Sequence, residues 1–184
     1  RSRKTLFNER IYNFSAGPSM LPLPVLQEAQ RSMLNWNGSG MSVMEMSHRS
    51  SAFASIFQDT KDRLRRLLQV PEEYEILFLQ GGATTQFSMV PMNLMGRTGK
   101  ASYALTGNFS TKAYEEAQKF GQCLVACSSA NKNHTYIPAQ EALSVDRDAS
   151  YFHYCANNTI YGTEWHYVPE TGNVPLVCDM SSNI

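Results

Sequence analysis

The chain has 184 residues, of which sixteen are basic (Lys and Arg) and sixteen are acidic (Asp and Glu), so its formal net charge at pH 7 is zero. This length suits one ordinary domain, or a large piece of one, with a buried core. The charge balance argues against a nucleic-acid binder, which usually carries a basic face. No stretch reaches the roughly eighteen apolar residues that a membrane span needs. We therefore expect neither a nucleic acid nor a membrane as a partner.

The N-terminal segment RSRKTLFNER is charged and is not followed by the apolar region of a signal peptide. The four cysteines form no CxxC pair and lie mostly inside apolar runs, at Cys123, Cys127, Cys155 and Cys178. We expect free, buried thiols and a cytoplasmic protein. The four histidines are too scattered to predict a zinc site, so no metal is expected.

Two amphipathic helical patterns come first in the chain. Apolar residues recur at three- and four-residue spacing over 22–36 and again over 50–70. Prolines stand where the first helix begins, and Pro71 ends the second. In and after the basic stretch KDRLRR (61–66), Leu64, Leu67 and Leu68 keep helical spacing, which favours the solvent-facing side of the second helix over a nucleic-acid patch.

After Pro71, short apolar runs alternate with helical patterns. The apolar runs cover 74–80, 101–107, 122–128, 150–158 and 173–182. The helical patterns cover 84–95 and 108–121. Strands that are nearly all apolar and alternate with helices indicate a parallel sheet that is covered on both faces. The sequence therefore predicts an α/β fold.

Loops that follow the predicted strands are the expected ligand sites, because helix N-termini direct free N–H groups outward there. In GGATTQ (81–86), two glycines and two threonines open a helix, which suits a phosphate held by backbone amides and hydroxyls. Glycines are also common at such a turn for steric reasons alone. The segment contains neither GxGxxG nor GxxxxGK[ST], which disfavours a nucleotide-binding domain.

Asp179 and Phe109 each admit two interpretations. Asp179 follows the apolar run VPLVC, and a carboxylate at a buried strand end needs a partner. It is either the cap of the following turn or the counter-ion of a protonated ring nitrogen, a role that an aspartate has in pyridoxal phosphate enzymes. Phe109 is either ordinary core or the flat surface on which a heteroaromatic ring stacks.

A histidine and an arginine are adjacent in MEMSHRSS (44–51), in a nearly uncharged setting. One interpretation of His48 and Arg49 is an exposed helix start that Ser47 or Ser50 caps. The other is a carboxylate or phosphate site, because the planar fork of arginine grips such groups with two hydrogen bonds.

Five ordered motifs together resemble those of the phosphoserine aminotransferases. They are NFSAGPSMLP (13–22), MSVMEMSHRSS (41–51), LQGGATTQF (79–87), CANNTIYG (155–162) and VCDMSSN (177–183). With matching spacing, the resemblance runs from about residue 11 to the last residue. It implies fold type I of the transferases that depend on pyridoxal 5'-phosphate (PLP), with a mostly parallel sheet flanked by helices.

The resemblance also implies an activity and an assembly. Phosphoserine aminotransferases work as homodimers in serine biosynthesis. They exchange an amino group between glutamate and 3-phosphohydroxypyruvate, and the products are 2-oxoglutarate and phosphoserine.

The cofactor phosphate is assigned by this resemblance to the backbone amides of Ala83 and Thr84, with Ser181 assisting. The family usually has glycine and a further small residue where this chain has Ala83 and Thr85. A β-carbon at position 83 narrows the phosphate turn, which implies weaker cofactor binding than in relatives.

The ring of the cofactor is assigned in the same way. Phe109 would stack on the pyridine ring, where the family usually has tryptophan, Thr159 would bond the 3-oxygen of the ring, and Asp179 would hold the ring nitrogen. His48 and Arg49 would reach across the dimer interface to the phosphate or the distal carboxylate of the substrate.

The Schiff-base lysine of the family lies shortly beyond DMSSN, and this sequence stops at Ile184. No lysine of the chain stands in a matching context, whether Lys4, Lys61, Lys100, Lys112, Lys119 or Lys132. Residues 1–16 are expected to form an N-terminal arm. Residues 17–184 are expected to form the first part of the PLP-binding large domain, without its remainder and without the small C-terminal domain.

Two hypotheses about function follow. In the first, the chain is an incomplete aminotransferase, inactive alone, that forms a homodimer or pairs with a complementary chain carrying the lysine. In the second, it is a non-catalytic truncated form or fragment that acts as an interaction or dimerisation partner.

Overall fold

A computed structural model of the chain describes residues 10–15 and 17–184. These residues divide into two compact units, of which the first ends at Phe78 and the second covers Leu79–Ile184. The predicted N-terminal arm (1–16) lies largely outside the described residues, as does Lys4.

The first unit contains two α-helices, α1 (Leu23–Ser32) and α2 (Ser51–Leu68). Helix α1 is shorter than predicted, because the chain turns after it and Asn37 adopts a left-handed conformation with φ of 47°. Ser50 caps α2 by accepting a hydrogen bond from the Phe53 N–H, with a donor–acceptor distance of 3.2 Å. Gln69 ends α2 in the left-handed conformation, two residues before Pro71.

The prediction of a strand over 74–80 is wrong for the part of the chain that the structure describes. This segment is extended but belongs to no sheet, and the side chains of Leu77 and Phe78 are exposed. An extended segment becomes a strand only when a neighbouring backbone pairs with it. No described strand pairs with 74–80, and the boundary between the two units falls inside it.

The second unit contains six strands and two α-helices. In chain order they are α3 (Gly82–Leu94), β1 (Lys100–Leu105), α4 (Asn108–Ala117), β2 (Gln122–Ser128), β3 (Phe152–Cys155), β4 (Asn157–Asn158), β5 (Thr163–Glu164) and β6 (Leu176–Asp179). Strands β2, β1, β3 and β6 form a parallel sheet in that order, and β4 and β5 form an antiparallel hairpin. The predicted parallel sheet is therefore confirmed.

Single turns of 3₁₀ helix connect several of these elements. They cover Trp36–Gly38, Val43–Glu45, Met95–Arg97, Ala130–Lys132 and Gln140–Ala142.

Both faces of the sheet are covered within the second unit. Helices α3 and α4 cover one face, where the buried side chains include Phe87, Tyr103, Ala113, Ala117 and Tyr151. Irregular segments cover the other face, where the buried side chains include Ala126, Phe152, Tyr154, Trp165 and Val174. Neighbouring residues of a strand contribute to opposite clusters, as the alternation of side chains along a strand requires.

The four cysteines are free, as expected, but only Cys127 and Cys155 are buried, whereas Cys123 and Cys178 are half-buried. Among the described residues, no helix is both long and apolar enough to cross a membrane.

Candidate active site

The candidate site lies where the order of the strands reverses along the chain. After β1 the chain continues to β2 on one side and then to β3 on the other, and all these strands are parallel. Open α/β sheets bind ligands in the crevice at such a switch point, outside the carboxyl ends of the strands. A narrow cleft, too small to hold a water molecule, lies there, lined by Thr106, Gly107 and Phe109 after β1, by Cys155 of β3 and by Asn157 of β4.

Asn158 fixes the loop after β1 against the β4–β5 hairpin. Its buried Nδ2 donates to the carbonyl oxygen of Thr106 at 2.8 Å and to Oγ1 of Thr163 at 3.3 Å. Gly107 is required beside it, because a β-carbon there would collide with the Asn158 amide group. The loop that leads to Phe109 and the hairpin that carries Thr159 are therefore held together.

Asp179 ends β6 and is hydrogen-bonded through both carboxylate oxygens. Its Oδ1 accepts from the Ser181 N–H at 3.0 Å and from the Ser181 hydroxyl at 2.5 Å, and its Oδ2 accepts from the Cys155 thiol at 3.4 Å. Burial favours the neutral acid, but these hydrogen bonds outweigh it and hold the pKa of Asp179 below its ordinary value. The carboxylate thus stays ionised at neutral pH.

The bond from the Ser181 N–H confirms the first interpretation of Asp179, the cap of the following turn. It does not conflict with the second, since Oδ2 makes one hydrogen bond among the described residues and a carboxylate oxygen accepts more than one. The counter-ion role stays a prediction.

Phe109 is the second residue of α4, and its side chain is 37% exposed among the described residues. The Nζ atom of Lys112 lies 5.7 Å from the centroid of the Phe109 ring. The ring lines the cleft that Cys155 also lines, and stacking on a heteroaromatic ring stays a prediction.

The predicted phosphate site is the first turn of α3. Gly81 caps this helix with a φ of 94°, a conformation that favours glycine, and Ala83 and Thr84 are exposed. The first amides of a helix have no partner within it and attract anions. Thr84 and Phe109 line one groove, which runs between α3 and α4 and is also lined by Glu116 at the end of α4 and by Lys119 just after it.

Thr159 and Ser181 lie at the same edge of the sheet, with their hydroxyl protons engaged. Thr159 donates to Oγ of Ser182 at 2.9 Å, and Ser181 donates to Asp179. Nδ2 of Asn157 also donates to Oγ of Ser182, at 2.8 Å, which ties the segment after β6 to the hairpin. In this arrangement the Ser181 hydroxyl proton is directed to Asp179 and not to the first turn of α3.

His48 and Arg49 belong to the first unit, whereas the other six predicted site residues belong to the second. Both lie exposed in the turn before α2, and the Arg49 N–H donates to Oγ of Ser47 at 3.2 Å. Within the described part of the chain, neither side chain forms an ion pair. The predicted cap by Ser50 is confirmed, and the anion-binding role stays a prediction.

His153 was not identified by the sequence analysis. It lies on β3, beside the strand that Asp179 ends. Its imidazole is 3% exposed and stacks on the Tyr103 ring, with centroids 5.0 Å apart. Its Nδ1 has no hydrogen-bond partner among the described residues. Burial lowers the pKa of His153 to about 4, although the negative charge of Asp179 opposes this effect. The signal in the sequence was the spacing of two between His153 and Cys155, which puts both on one face of β3.

Comparison with known proteins defines the class of this molecule. Residues 11–184 match the aminotransferase class-V family, so the chain belongs to that family.

Several of the individual relatives and solved structures that match are phosphoserine aminotransferases. The chain is 55% identical to that of Bacillus cereus over 176 residues, which are 96% of this chain and 49% of the relative. The solved enzyme from Bacillus circulans subsp. alkalophilus matches with a TM-score of 0.91 and 43% identity, over 96% of this chain and 49% of that one. The PLP-bound enzyme from Trichomonas vaginalis matches with a TM-score of 0.86 and 42% identity, over 95% and 52%.

These matches confirm the predicted fold class and the resemblance to phosphoserine aminotransferases. The chain spans about half the length of the curated relatives it matches.

Replacing His153 by phenylalanine is predicted to reduce the pH dependence of stability. The imidazole of His153 has a pKa of about 4 in the folded protein and an ordinary pKa of 6.5 in the unfolded chain. Between pH 4 and pH 6.5 the unfolded state therefore binds more protons than the folded state. His153 therefore destabilises the fold progressively as the pH falls from 6.5 to 4, by about 3 kcal/mol in all. Phenylalanine keeps the stacking on Tyr103 but cannot bind a proton.

Urea unfolding at several pH values measures this effect. The free energy of unfolding of His153→Phe should fall less steeply below pH 6.5 than that of the unmodified protein. The exposed His166 provides the control, because His166→Phe should leave the slope unchanged. An equal slope for all three proteins would show that His153 is not held neutral by the fold.

Proposed function

We propose that this chain supplies the first part of the active site of a phosphoserine aminotransferase. The enzyme would transfer an amino group between glutamate and 3-phosphohydroxypyruvate in serine biosynthesis, with PLP as its cofactor. The observation that carries the proposal is that Cys155 contacts an ionised Asp179 and also lines the cleft beside the exposed Phe109 at the switch point of the sheet. The identity of this chain to phosphoserine aminotransferases supports it.

The residues at this edge fit PLP, which combines a phosphate with a pyridine ring whose nitrogen is protonated during catalysis. The exposed first turn of α3 suits the phosphate, because the free amides of Ala83 and Thr84 and the helix dipole favour an anion there. Ser181 would assist by reorienting its hydroxyl. The groove shared by Thr84 and Phe109 joins this phosphate site to the site of the ring.

Three residues would hold the ring. The exposed face of Phe109 would stack against it, and the Thr159 hydroxyl would bond its 3-oxygen. The carboxylate of Asp179 would keep the ring nitrogen protonated, because an opposite charge nearby favours the charged form. PLP, when bound, withdraws electrons from the substrate α-carbon so that a proton can leave.

His48 and Arg49 would bind the phosphate or distal carboxylate of the substrate from the partner subunit of a homodimer. Their exposure and the absence of an ion pair among the described residues leave both side chains free to bind an anion. The guanidinium of Arg49 matches a carboxylate and a phosphate equally well, which suits an enzyme that alternates between glutamate and a phosphorylated substrate.

We propose no lysine of this chain as the Schiff-base lysine. Lys61 pairs with Glu75 at 3.5 Å and Lys100 with Asp146 at 3.6 Å, whereas Lys112 belongs to helix α4 and lies over the Phe109 ring. We assign the Schiff-base lysine to sequence outside these 184 residues, in the full-length protein or in a complementary chain. On this proposal, residues 17–184 form the first part of the PLP-binding large domain, and the free cysteines suit the cytoplasm.

Replacing Asp179 by asparagine is predicted to weaken PLP binding in the full-length protein that carries this chain. A neutral amide no longer favours the protonated ring nitrogen, and the loss of one charge-assisted contact corresponds to about a 10- to 100-fold higher Kd. Equilibrium dialysis with PLP measures the Kd. Asp148→Asn, at an exposed aspartate, is the control and should leave it unchanged. An unchanged Kd in Asp179→Asn would remove Asp179 from this role. Failure of the unmodified protein to bind PLP would favour the non-catalytic alternative.

Replacing Arg49 by alanine is predicted to raise KM for both phosphoserine and glutamate, while the Kd for PLP is unchanged. Losing a two-pronged charged contact should cost about 2–5 kcal/mol of substrate binding if the anion is left desolvated. Arg49→Lys should restore little of it, because an ammonium group cannot form the fork.

Steady-state kinetics on both substrates measures this effect, with Arg66→Ala, at an exposed position of α2, as the control. If Arg49→Ala has normal KM values but a lower free energy of unfolding, Arg49 serves only the start of α2.

A further inference from the structure

The last residues of β3 and β6 are directly opposite each other. Cys155 pairs with Asp179 in the parallel register of these strands, and Cys155 Sγ lies 3.4 Å from Oδ2 of Asp179. The Cys155 side chain is 4% exposed. It also lines the cleft beside Phe109, so the contact adjoins the residue on which the ring is proposed to stack.

The thiol in this contact is a hydrogen-bond donor and not a thiolate. Burial, followed by the negative charge of Asp179, raises the pKa of Cys155 far above its ordinary value. A thiolate at this distance would repel the carboxylate, whereas the neutral S–H group donates to it.

The two carboxylate oxygens of Asp179 accept hydrogen bonds from two different parts of the structure. Oδ1 is held by Ser181, an exposed residue of the turn that Asp179 itself caps. Oδ2 is held by Cys155, a buried residue of an inner strand. Among the described residues, only the second contact ties the carboxylate to a neighbouring strand, β3, whose Cys155 also lines the cleft beside Phe109.

We propose that Cys155 is a positioning residue, whose thiol donates to Oδ2 of Asp179 and fixes the plane of this carboxylate against the sheet. The fixed carboxylate then presents its remaining lone pairs to the ring nitrogen of a planar heteroaromatic cofactor beside Phe109. Cys155 acts through Asp179 and moves no proton itself. This inference rests on the proposed function and adds a residue to its site.

Infrared spectroscopy tests the hydrogen bond without any cofactor. The difference spectrum between the unmodified protein and Cys155→Val isolates the S–H stretch of Cys155. A thiol that donates to a carboxylate should absorb at lower frequency than the Cys127 thiol, isolated in the same way with Cys127→Val. Cys127 is buried in the other cluster and makes no hydrogen bond to a carboxylate among the described residues. Asp179→Ala should return the Cys155 band to the higher frequency.

Equilibrium dialysis with PLP tests the positioning role in the full-length protein. Cys155→Val fills the space without a donor and should raise the Kd about 3- to 10-fold, the effect of one weak donor to a charged group. Cys155→Ser restores a donor and should bring the Kd back to within about twofold of the unmodified protein. Cys178→Val is the matched control, because Cys178 adjoins Asp179 but packs against the opposite cluster.

Each contrary result overturns the inference. An unshifted Cys155 band shows that the thiol does not donate to Asp179. Equal weakening by valine and serine shows that packing, and not the donor, matters, and an unchanged Kd in both variants shows that the contact does not position the carboxylate. If the unmodified protein binds no PLP, the proposed function fails instead, and the infrared band still decides whether the contact exists.

Discussion

A partly buried carboxylate at the end of a strand has to be stabilised by hydrogen bonds, because burial by itself favours the neutral acid. Asp179 meets this requirement with donors from two directions, the turn that follows it and the neighbouring strand β3. The pKa of the carboxyl group therefore stays below its ordinary value despite its partial burial. The negative charge also reaches inward, where it acts on the buried imidazole of His153. The geometry of the candidate site depends on how this one charge is held.

The rest of the second unit brings other groups to the same edge. Because the strands are parallel, the segments after β1, β3 and β6 all leave at one edge of the sheet. Asn158 holds the loop after β1 on the hairpin, and Ser182 holds the segment after β6 on it. Helices α3 and α4 start side by side, with Thr84 and Phe109 in one groove. A ligand with a flat ring and an anionic group matches this arrangement of an aromatic side chain and a helix N-terminus.

The sequence was sufficient for the fold class and for the positions of most elements, because these depend on local periodicity. Strand β2 agrees residue for residue with the predicted run 122–128, and Phe109 shares a groove with Thr84 and a cleft with Cys155, the residue that contacts Asp179. The order of the strands could not be predicted, because pairing is a long-range property. Without that order, neither the contact of Cys155 with Asp179 nor the lack of pairing of 74–80 was foreseeable. His153 was missed for the same reason, since its spacing from Cys155 becomes meaningful only once β6 is known to lie beside β3.

The central claim is that Asp179, Phe109 and the first turn of α3 form one site for PLP. A crystal structure of the full-length protein with PLP tests it most directly. The account predicts the pyridine ring against the Phe109 side chain, the ring nitrogen within hydrogen-bonding distance of the Asp179 carboxylate, and the phosphate on the amides of Ala83 and Thr84. A ring bound away from Phe109, or a phosphate bound anywhere other than the start of α3, would contradict it.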